Sequence, residues 1–319
     1  MIVSLVTGIN GFVGRYLGSH LKRKGHYVIG TSRKGEMHHD KCEYADEIVL
    51  IKDLSNYEEV KPILLKKYPD YIFHLAALSN VARAWEFPEE AFRSNVLTTV
   101  NLLNVAKELP KTRIITVGSS EEYGYSADMI FPLNEDSATN PMNPYGLSKL
   151  NVSYLAQQYH KAYGIDVVHV RPFNHIGPGQ QNGFVVPDFA SQIAEIEKGI
   201  KAPILKVGNL NAQRDFTDVR DVVDAYEKLA SNGVGGEIYN VCSSRPIAID
   251  EILNLLVSYS DVKVEVVQDP SRYRPVDIPF YYGDNSKITN SIPWKPKHSI
   301  EESLLEILND KRTSYKKMV

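Results

Sequence analysis

The sequence predicts an α/β protein built on a doubly wound parallel sheet, with a smaller α/β lobe beside it. Three observations carry that reading. Through the first half of the 319-residue chain, short runs of β-branched and aliphatic residues alternate with amphipathic helical stretches. The runs are continuous rather than strictly alternating, as expected of parallel strands buried on both faces. A spaced glycine triplet stands between the first run and the first helix.

The elements follow in order. Ile2–Thr7 is the first strand, and Val13, Leu17 and Leu21, four apart, mark the helix behind it, which Gly25 ends. Strands follow at Tyr27–Thr31 and Glu47–Ile51, and Ser55 with Glu58 forms a capping-box pair that opens the next helix. Further strands are Tyr71–Ala76, Arg113–Gly118 and Asp166–Arg171. Between them lie a helix near Ser94–Lys107 and a long one at Pro144–Tyr163. In the former, Val96, Val100, Leu103 and Lys107 share helical spacing, which suits an apolar part facing the sheet. This β-α-β-α order argues for double winding.

The pattern changes after Arg171. Pro172–Gly183, rich in Pro, Gly and Asn, predicts no regular element. Beyond it come a helix near Pro187–Gly199, short strands near Ile204 and Ile238, and helices near Asp218–Asn232 and Asp250–Ser260. An Arg- and Pro-rich loop at Asp269–Pro279 precedes a terminal helix from Ser299. The expected division is a dinucleotide-binding domain of residues 1–172 plus about 213–242, and a substrate lobe of about 173–212 plus 243–319.

Composition narrows the function classes. Hydrophobic residues at 43% and charged residues at 24% exclude a disordered, collagenous or disulfide-scaffold chain. Lys plus Arg is 36 against 39 for Asp plus Glu, a formal charge of −3, so the bulk positive charge that nucleic acid or an anionic membrane calls for is missing. Cys42 and Cys242 form no CxxC and no metal-ligand spacing, which predicts a reducing compartment and no metal. The start MIVSLVTG lacks the pattern of a signal peptide, and no window reaches the ~20 apolar residues of a membrane span. The expectation is a cytoplasmic protein with neither nucleic acid nor membrane as partner.

The glycine triplet is Gly8, Gly11 and Gly14 in TGINGFVG, with Asn10, Phe12 and Val13 between. Following a strand and opening a helix, it fits a loop that brings backbone against a pyrophosphate, which then sits on N–H groups at the helix N-terminus. This is the Rossmann-type arrangement. The second strand runs on into Ser32, Arg33 and Lys34, without the acidic residue that holds an NAD ribose. NADP(H) is therefore expected over NAD(H), unless Arg33 and Lys34 are solvated loop charges. Asp53, followed by Leu54, either accepts from the adenine amino group or forms a turn. After the fourth strand, small residues in Leu75-Ala76-Ala77 leave room for cofactor against backbone.

Tyr145 and Lys149 stand four apart at the start of the long helix, on one face. A phenol titrates near 10, and a neighbouring ammonium is expected to bring it closer to neutrality. Such a Tyr trades a proton with a sugar oxygen while hydride moves on a nicotinamide. Ser119, after the fifth strand in GSSEEYG, would hydrogen-bond the same oxygen. Glu121 either acts on a carbon-bound proton next to a carbonyl or is structural.

TGINGFVG, the HLAA strand end, SSEEYG and YGLSK, in this order, resemble the extended short-chain dehydrogenase/reductases that act on nucleotide sugars. RPFNHIGPGQ (Arg171–Gln180), VGNLNAQRDFTDVRD (Val207–Asp221) and RYRPVDIP (Arg272–Pro279) narrow the resemblance to the branch handling GDP-linked 6-deoxyhexoses. Dehydratases of that branch usually carry Gln-Asp where this chain has Phe12-Val13, and an Arg-rich stretch where it has Ile176-Gly177-Pro178-Gly179. Those departures favour a 4-ketoreductase. Glu121 aligns with the dehydratases' proton-shuttling Glu, but matched reductases retain it too, so it does not decide.

The resemblance implies NADP(H)-dependent reduction of the C4 keto group of GDP-4-keto-6-deoxy-D-mannose to GDP-D-rhamnose, in a homodimer paired through the helices near Ser94–Lys107 and Pro144–Tyr163. It implies Ser119, Tyr145 and Lys149 as catalytic residues, with Ser120, Asn174 and Val185 at the sugar. Asn209 and Arg214 would contact the nucleotide diphosphate, Arg274 would neutralise pyrophosphate and Asp277 would bond a ribose hydroxyl. On the residues alone, Arg214 with Asp215 equally reads as a structural ion pair, Arg272 and Arg274 as solvated charges, and Asn174 with His175 as loop-fixing. A 4,6-dehydratase or 4-epimerase is the second reading. A non-catalytic dinucleotide-binding protein is the third, and the intact Tyr145–Lys149 pair speaks against it.

Overall fold

The computed structural model describes residues 1–33, 42–270 and 278–316. Arg274 and Asp277, expected at the nucleotide, and Lys34, expected near the ribose, lie outside the described residues.

The first half alternates as expected: β1 (Val3–Thr7), α1 (Phe12–Arg23), β2 (Tyr27–Ser32), β3 (Glu47–Leu50), α2 (Tyr57–Lys67) and β4 (Tyr71–His74). Short helices α3 (Val81–Glu86) and α4 (Pro88–Phe92) lead through a wide π-type turn, Arg93–Leu97, into α5 (Thr98–Ala106). Then come β5 (Arg113–Val117), a single turn at Ser120–Glu122, α6 (Pro144–Tyr163) and β6 (Val167–Pro172). The second half contains β7 (Asn174–Ile176), α7 (Val185–Glu197), β8 (Ile204–Val207), β9 (Gln213–Asp218), α8 (Val219–Asn232) and β10 (Ile238–Val241). It continues through β11 (Pro246–Ala248), α9 (Ile249–Ser258), β12 (Glu265–Gln268), β13 (Phe280–Tyr281), α10 (Ser286–Ser291) and α11 (Ile300–Lys316).

Seven strands form one parallel sheet in the order β10-β6-β5-β4-β1-β2-β3. The chain winds outward from β1 in both directions, so the topological switch point lies between β1 and β4. Neighbouring residues along each strand feed opposite faces. Val6, Val28, Phe73 and Ile115 pack with Leu17 and Leu21 of α1 and Val222, Tyr226 and Leu229 of α8. Leu5, Ile29, Ile72 and Ile114 pack on the other side with Leu64 of α2, Leu102 of α5 and Ala156 of α6. Burial on both faces is why the strands read as unbroken apolar runs. A second core joins α7, α9 and α11 over β8. Tyr123, Leu133, Phe173, Cys242 and Tyr281 form a small cluster of their own.

Two local expectations are corrected and two are refined. α2 is capped by Asn56, whose Oδ1 accepts from Glu58 N, while Ser55 turns back to Asp53. α1 stops at Gly25 as expected, with Arg23 its last residue, Lys24 its cap and Gly25 in the left-handed turn that closes it. Pro172–Gly183 is not wholly irregular: Pro172 closes β6, and Asn174–Ile176 pairs with β9, its backbone finding partners that a local reading cannot see. The helix near Ser94–Lys107 begins in the π-type turn, which runs on without a break into α5, and Leu103 is buried on the sheet side.

Candidate active site

The glycine loop joins the end of β1 to α1 at the switch point. Gly8 turns with φ +69°, and a Cβ there would lie 3.0 Å from the Ala76 backbone; a Cβ on Gly14 would lie 2.3 Å from Gly8 O. The loop thus brings bare backbone against the Leu75-Ala76-Ala77 segment, and Gly11 opens α1 without a side-chain cap or an acidic residue in the first turn. A diphosphate fits such a cradle, because exposed N–H groups and the positive helix end both favour an anion. Thr7 and His74 brace the switch point: Thr7 Oγ1 lies 2.9 Å from His74 Nδ1 and accepts from Ala76 N at 3.0 Å. Burial first, and the Lys149 charge second, push His74 down to about 3, so its ring is neutral.

Asn10 donates to Ser32 Oγ at 2.7 Å and accepts from Tyr44 at 3.2 Å, tying the loop to the end of β2. Ser32 is buried and Arg33 exposed. Asp53 is occupied. One oxygen accepts from Ser55 N and Oγ at 2.8 and 2.7 Å, and the other pairs with Arg93. Burial raises this carboxyl, but the Ser55 and Arg93 bonds outweigh it and hold it below its usual range. Leu54 is half-buried, and its carbonyl accepts from Asn101.

From the segment after β6, the His175 ring stacks on Phe12 at 6.1 Å and 5°, and the Tyr16 hydroxyl donates to Pro178 O at 2.9 Å. The Pro- and Gly-rich segment is therefore anchored on the glycine-loop helix. Val13 packs at the edge of the core that α1 shares with α8.

At the carboxyl end of β5 the structure brings together Ser119, Glu121, Tyr145 and Lys149. Ser119 Oγ accepts from Glu121 N, and the Glu122 carboxylate takes Ser119 N at 2.9 Å, fixing the turn. Asn143 caps α6, its Oδ1 accepting from Gly146 N and its Nδ2 donating to Glu121 Oε2, both at 2.8 Å. The cap therefore ties Glu121 to the start of the helix that carries Tyr145. Lys149 Nζ lies 5.9 Å from the Tyr145 ring centre and donates to Val117 O at 2.7 Å. Burial draws it down to about 8.

The expected acidification of Tyr145 is not what this geometry gives. Burial raises the phenol above its ordinary value, and the Ser119 hydroxyl only partly offsets it. The ammonium is committed to the β5 carbonyl rather than to the phenolic oxygen.

The proposed substrate residues are spread across the second half. Ser120 is buried, and its carbonyl accepts from Tyr281. Asn174 is exposed on β7, and Val185 begins α7. Asn209 Oδ1 accepts from Asn211 N, and Arg214 Nη1 donates to Gln213 O. Asp215 is buried and accepts from Ser243 and Ser244, so its carboxylate serves a loop. Sequence reasoning missed Thr7, His74, Asn143 and Glu122. Only Asn143, a helix-capping residue just before Pro144, left a local signal.

Fold and site together define a class: a Rossmann-type α/β protein with Ser, Tyr and Lys at the carboxyl edge of its sheet, next to a glycine-loop cradle. The profile of the family described as GDP-mannose 4,6 dehydratase matches residues 5–307, and the chain belongs to that family. It is 34% identical over 310 residues to the GDP-6-deoxy-D-mannose reductase of Pseudomonas aeruginosa, covering 96% of this chain and 95% of that one. It is 32% identical over 289 residues to the GDP-6-deoxy-D-talose 4-dehydrogenase of Aggregatibacter actinomycetemcomitans, covering 90% of each. The solved structure of RMD from Pseudomonas aeruginosa complexed with NADPH superposes with a TM-score of 0.84 at 33% identity, over 98% of this chain and 100% of that one.

Proposed function

We propose that the protein reduces the C4 keto group of GDP-4-keto-6-deoxy-D-mannose to GDP-D-rhamnose, with NADPH preferred and NADH accepted. The observation that carries this is the gathering of Ser119, Tyr145 and Lys149 beside the glycine loop, in a chain similar over nearly its whole length to a GDP-6-deoxy-D-mannose reductase. The residues fit the dinucleotide: Gly8, Asn10, Gly11, Phe12, Val13 and Gly14 would hold its diphosphate, Ser32 and Arg33 its 2′-phosphate, and Lys149 its nicotinamide ribose. When bound, NADPH supplies the hydride for C4.

The chain's own residues do the rest. Tyr145 holds its proton at neutral pH, because burial raises its pKa, and so arrives charged with the proton that the developing alkoxide takes. The Ser119 hydroxyl steadies the same oxygen, and the Lys149 ammonium offsets negative charge as it forms. Asn174, Arg214 and Arg274 would position the nucleotide sugar, Arg being suited to a diphosphate by its forked donors.

The test adds purified protein and NADPH to the keto sugar and follows cofactor absorbance and product mass. Oxidation of NADPH with a product two mass units heavier supports the reading, and a folded protein that oxidises none overturns it. A 4,6-dehydratase is favoured by one observation, the Glu121 carboxylate, held by Asn143 Nδ2, lying close enough to Tyr145 for its charge to act on the phenol. Glu121→Gln separates the two: a dehydratase would collapse, whereas the reductase should keep its rate within about tenfold.

Leu97, Leu147 and Tyr154 are exposed on the helical layer formed by α6 and the turn into α5. That apolar surface supports a homodimer, testable by sedimentation at micromolar concentration. Both cysteines are free thiols, which fits a reducing cytoplasm. Among the described residues, no helix is long and apolar enough to cross a membrane.

A further inference from the structure

We propose that Glu122 is a positioning residue for the reduction: buried beneath the Ser119 turn, its carboxylate anchors that turn to β6 and provides the negative charge that Lys149 faces. The inference rests on the reductase reading above.

The two neighbouring glutamates have opposite surroundings. Glu121 reaches the α6 cap at the edge of the site. Glu122 points inward and is fully buried. Its Oε1 accepts from Ser119 N at 2.9 Å and lies 3.0 Å from His169 Nε2, and its Oε2 accepts from Arg171 Nε at 2.7 Å. The space is committed to this carboxylate. A Cβ on Gly118 would collide with Glu122 Oε1 and lie 2.4 Å from His169 Nε2, so glycine there lets the backbone lie against the pair. His169 is fixed in turn by Thr116 Oγ1 at 2.9 Å from Nδ1, and the Arg171 guanidinium lies 4.7 Å from the Tyr123 ring centre.

The charges around this point can be enumerated. From β6 come His169, which burial keeps neutral, and Arg171. From α6 come Lys149 and Tyr145; from Glu122's own turn, Glu121 and Tyr123; from the loop after it, Glu135; from β13, Tyr281. Burial alone would raise the Glu122 carboxyl, but the His169 and Arg171 contacts reverse this and keep it ionised. One buried anion is thus shared by two cations, Arg171 in direct contact and Lys149 through its field. Lys149 is drawn down by burial, and Glu122 is the charge that resists. Removing a buried anion that faces a buried cation favours the cation's neutral form.

The test is Glu122→Gln, nearly isosteric and able to accept from Ser119 N, but uncharged. The Lys149 midpoint is read by NMR titration of protein carrying 13C-labelled lysine, assigned with Lys149→Arg. This readout needs no substrate, so failure of the reductase reading and failure of this one are distinguishable. The expected result is a Lys149 midpoint lower by about one unit, and an alkaline limb of the kcat profile displaced downward with it. kcat at neutral pH should fall about tenfold, with the KM for NADPH within about threefold. Glu122→Asp, which keeps the charge at a shorter reach, should give smaller changes in the same direction, and carries the test if the Gln variant does not fold. A Lys149 midpoint unmoved in Glu122→Gln, or at or above the wild-type value in Glu122→Asp, overturns the inference whatever happens to kcat.

Discussion

The two ends of the sheet's carboxyl edge are built by different physics. At the glycine-loop end, shape is set by backbone: Gly8 and Gly14 are needed because a Cβ would meet main-chain atoms, and the first turn of α1 carries no acidic side chain. At the Ser119–Tyr145–Lys149 end, shape is set by buried side-chain polarity: a fully buried carboxylate, an arginine and a neutral imidazole hold the turn from below. A cradle for a diphosphate can be made of amides, which carry fixed dipoles. A site that moves a proton needs titratable groups whose ionisation the surroundings control.

The widest contrast comes from one substitution at each end. Tyr145→Phe removes the only proposed proton donor, so kcat for the keto sugar should fall by about 10²–10⁴-fold while NADPH affinity stays within about threefold. A variant retaining more than a tenth of the rate would show that another group delivers the proton. Gly14→Ala should do the reverse. With Gly8 O 2.3 Å from the new Cβ, the loop must shift, costing about 1–3 kcal/mol of stability and weakening dinucleotide binding, while kcat at saturating NADPH stays near wild type. Denaturant midpoints and cofactor titration measure both, and a Gly14→Ala protein with unchanged affinity would remove the backbone account of the cradle.

The same contrast explains what was legible in the sequence. Backbone demands leave local marks: the triplet of glycines, the strand before it and the helix after it identified the cradle, and unbroken apolar runs identified the sheet. Pro144–Tyr163 emerged with the expected bounds because cap, proline, helix and closing Gly164 are contiguous. Long-range polarity leaves no such mark. Glu122 meets His169 and Arg171 only because β5 and β6 are adjacent in the sheet, and nothing in SSEEYG says which glutamate turns inward. Burial likewise reversed the expected shift of Tyr145, since spacing reports that Lys149 is near but not that it is bonded to Val117. Asn174–Ile176 became a strand only because β9 offered an edge.

A buried imidazole at each end sharpens the comparison through pH. His74 is pushed down to about 3 by burial, with Lys149 adding to the effect, and burial lowers His169 as well. An unfolded imidazole takes a proton below about 6.5. Between that pH and about 3 the unfolded state therefore binds more protons, and stability falls as pH drops, by up to about 1.4 kcal/mol per unit for His74 alone. His26 and His175, lowered mainly by burial, act in the same window. His74→Asn should flatten the acid limb of urea-unfolding stability by part of that slope. An unchanged slope would mean that His74 is charged or hydrated in the native state.

The smallest expected effect tests whether Asp53 belongs to the cradle at all. Both carboxylate oxygens are engaged, one by the Ser55 turn and the other by Arg93, and the Arg93 partner is well exposed. An exposed ion pair contributes no more than about 1 kcal/mol, and less in salt. An adenine amino group would have to share an oxygen already committed to another donor. Asp53→Asn can still accept from Ser55, so stability should fall by less than about 1 kcal/mol and NADPH affinity should change by less than about threefold. If affinity instead fell tenfold with stability intact, the carboxylate would be an adenine contact, and the glycine-loop end would depend on side-chain charge after all.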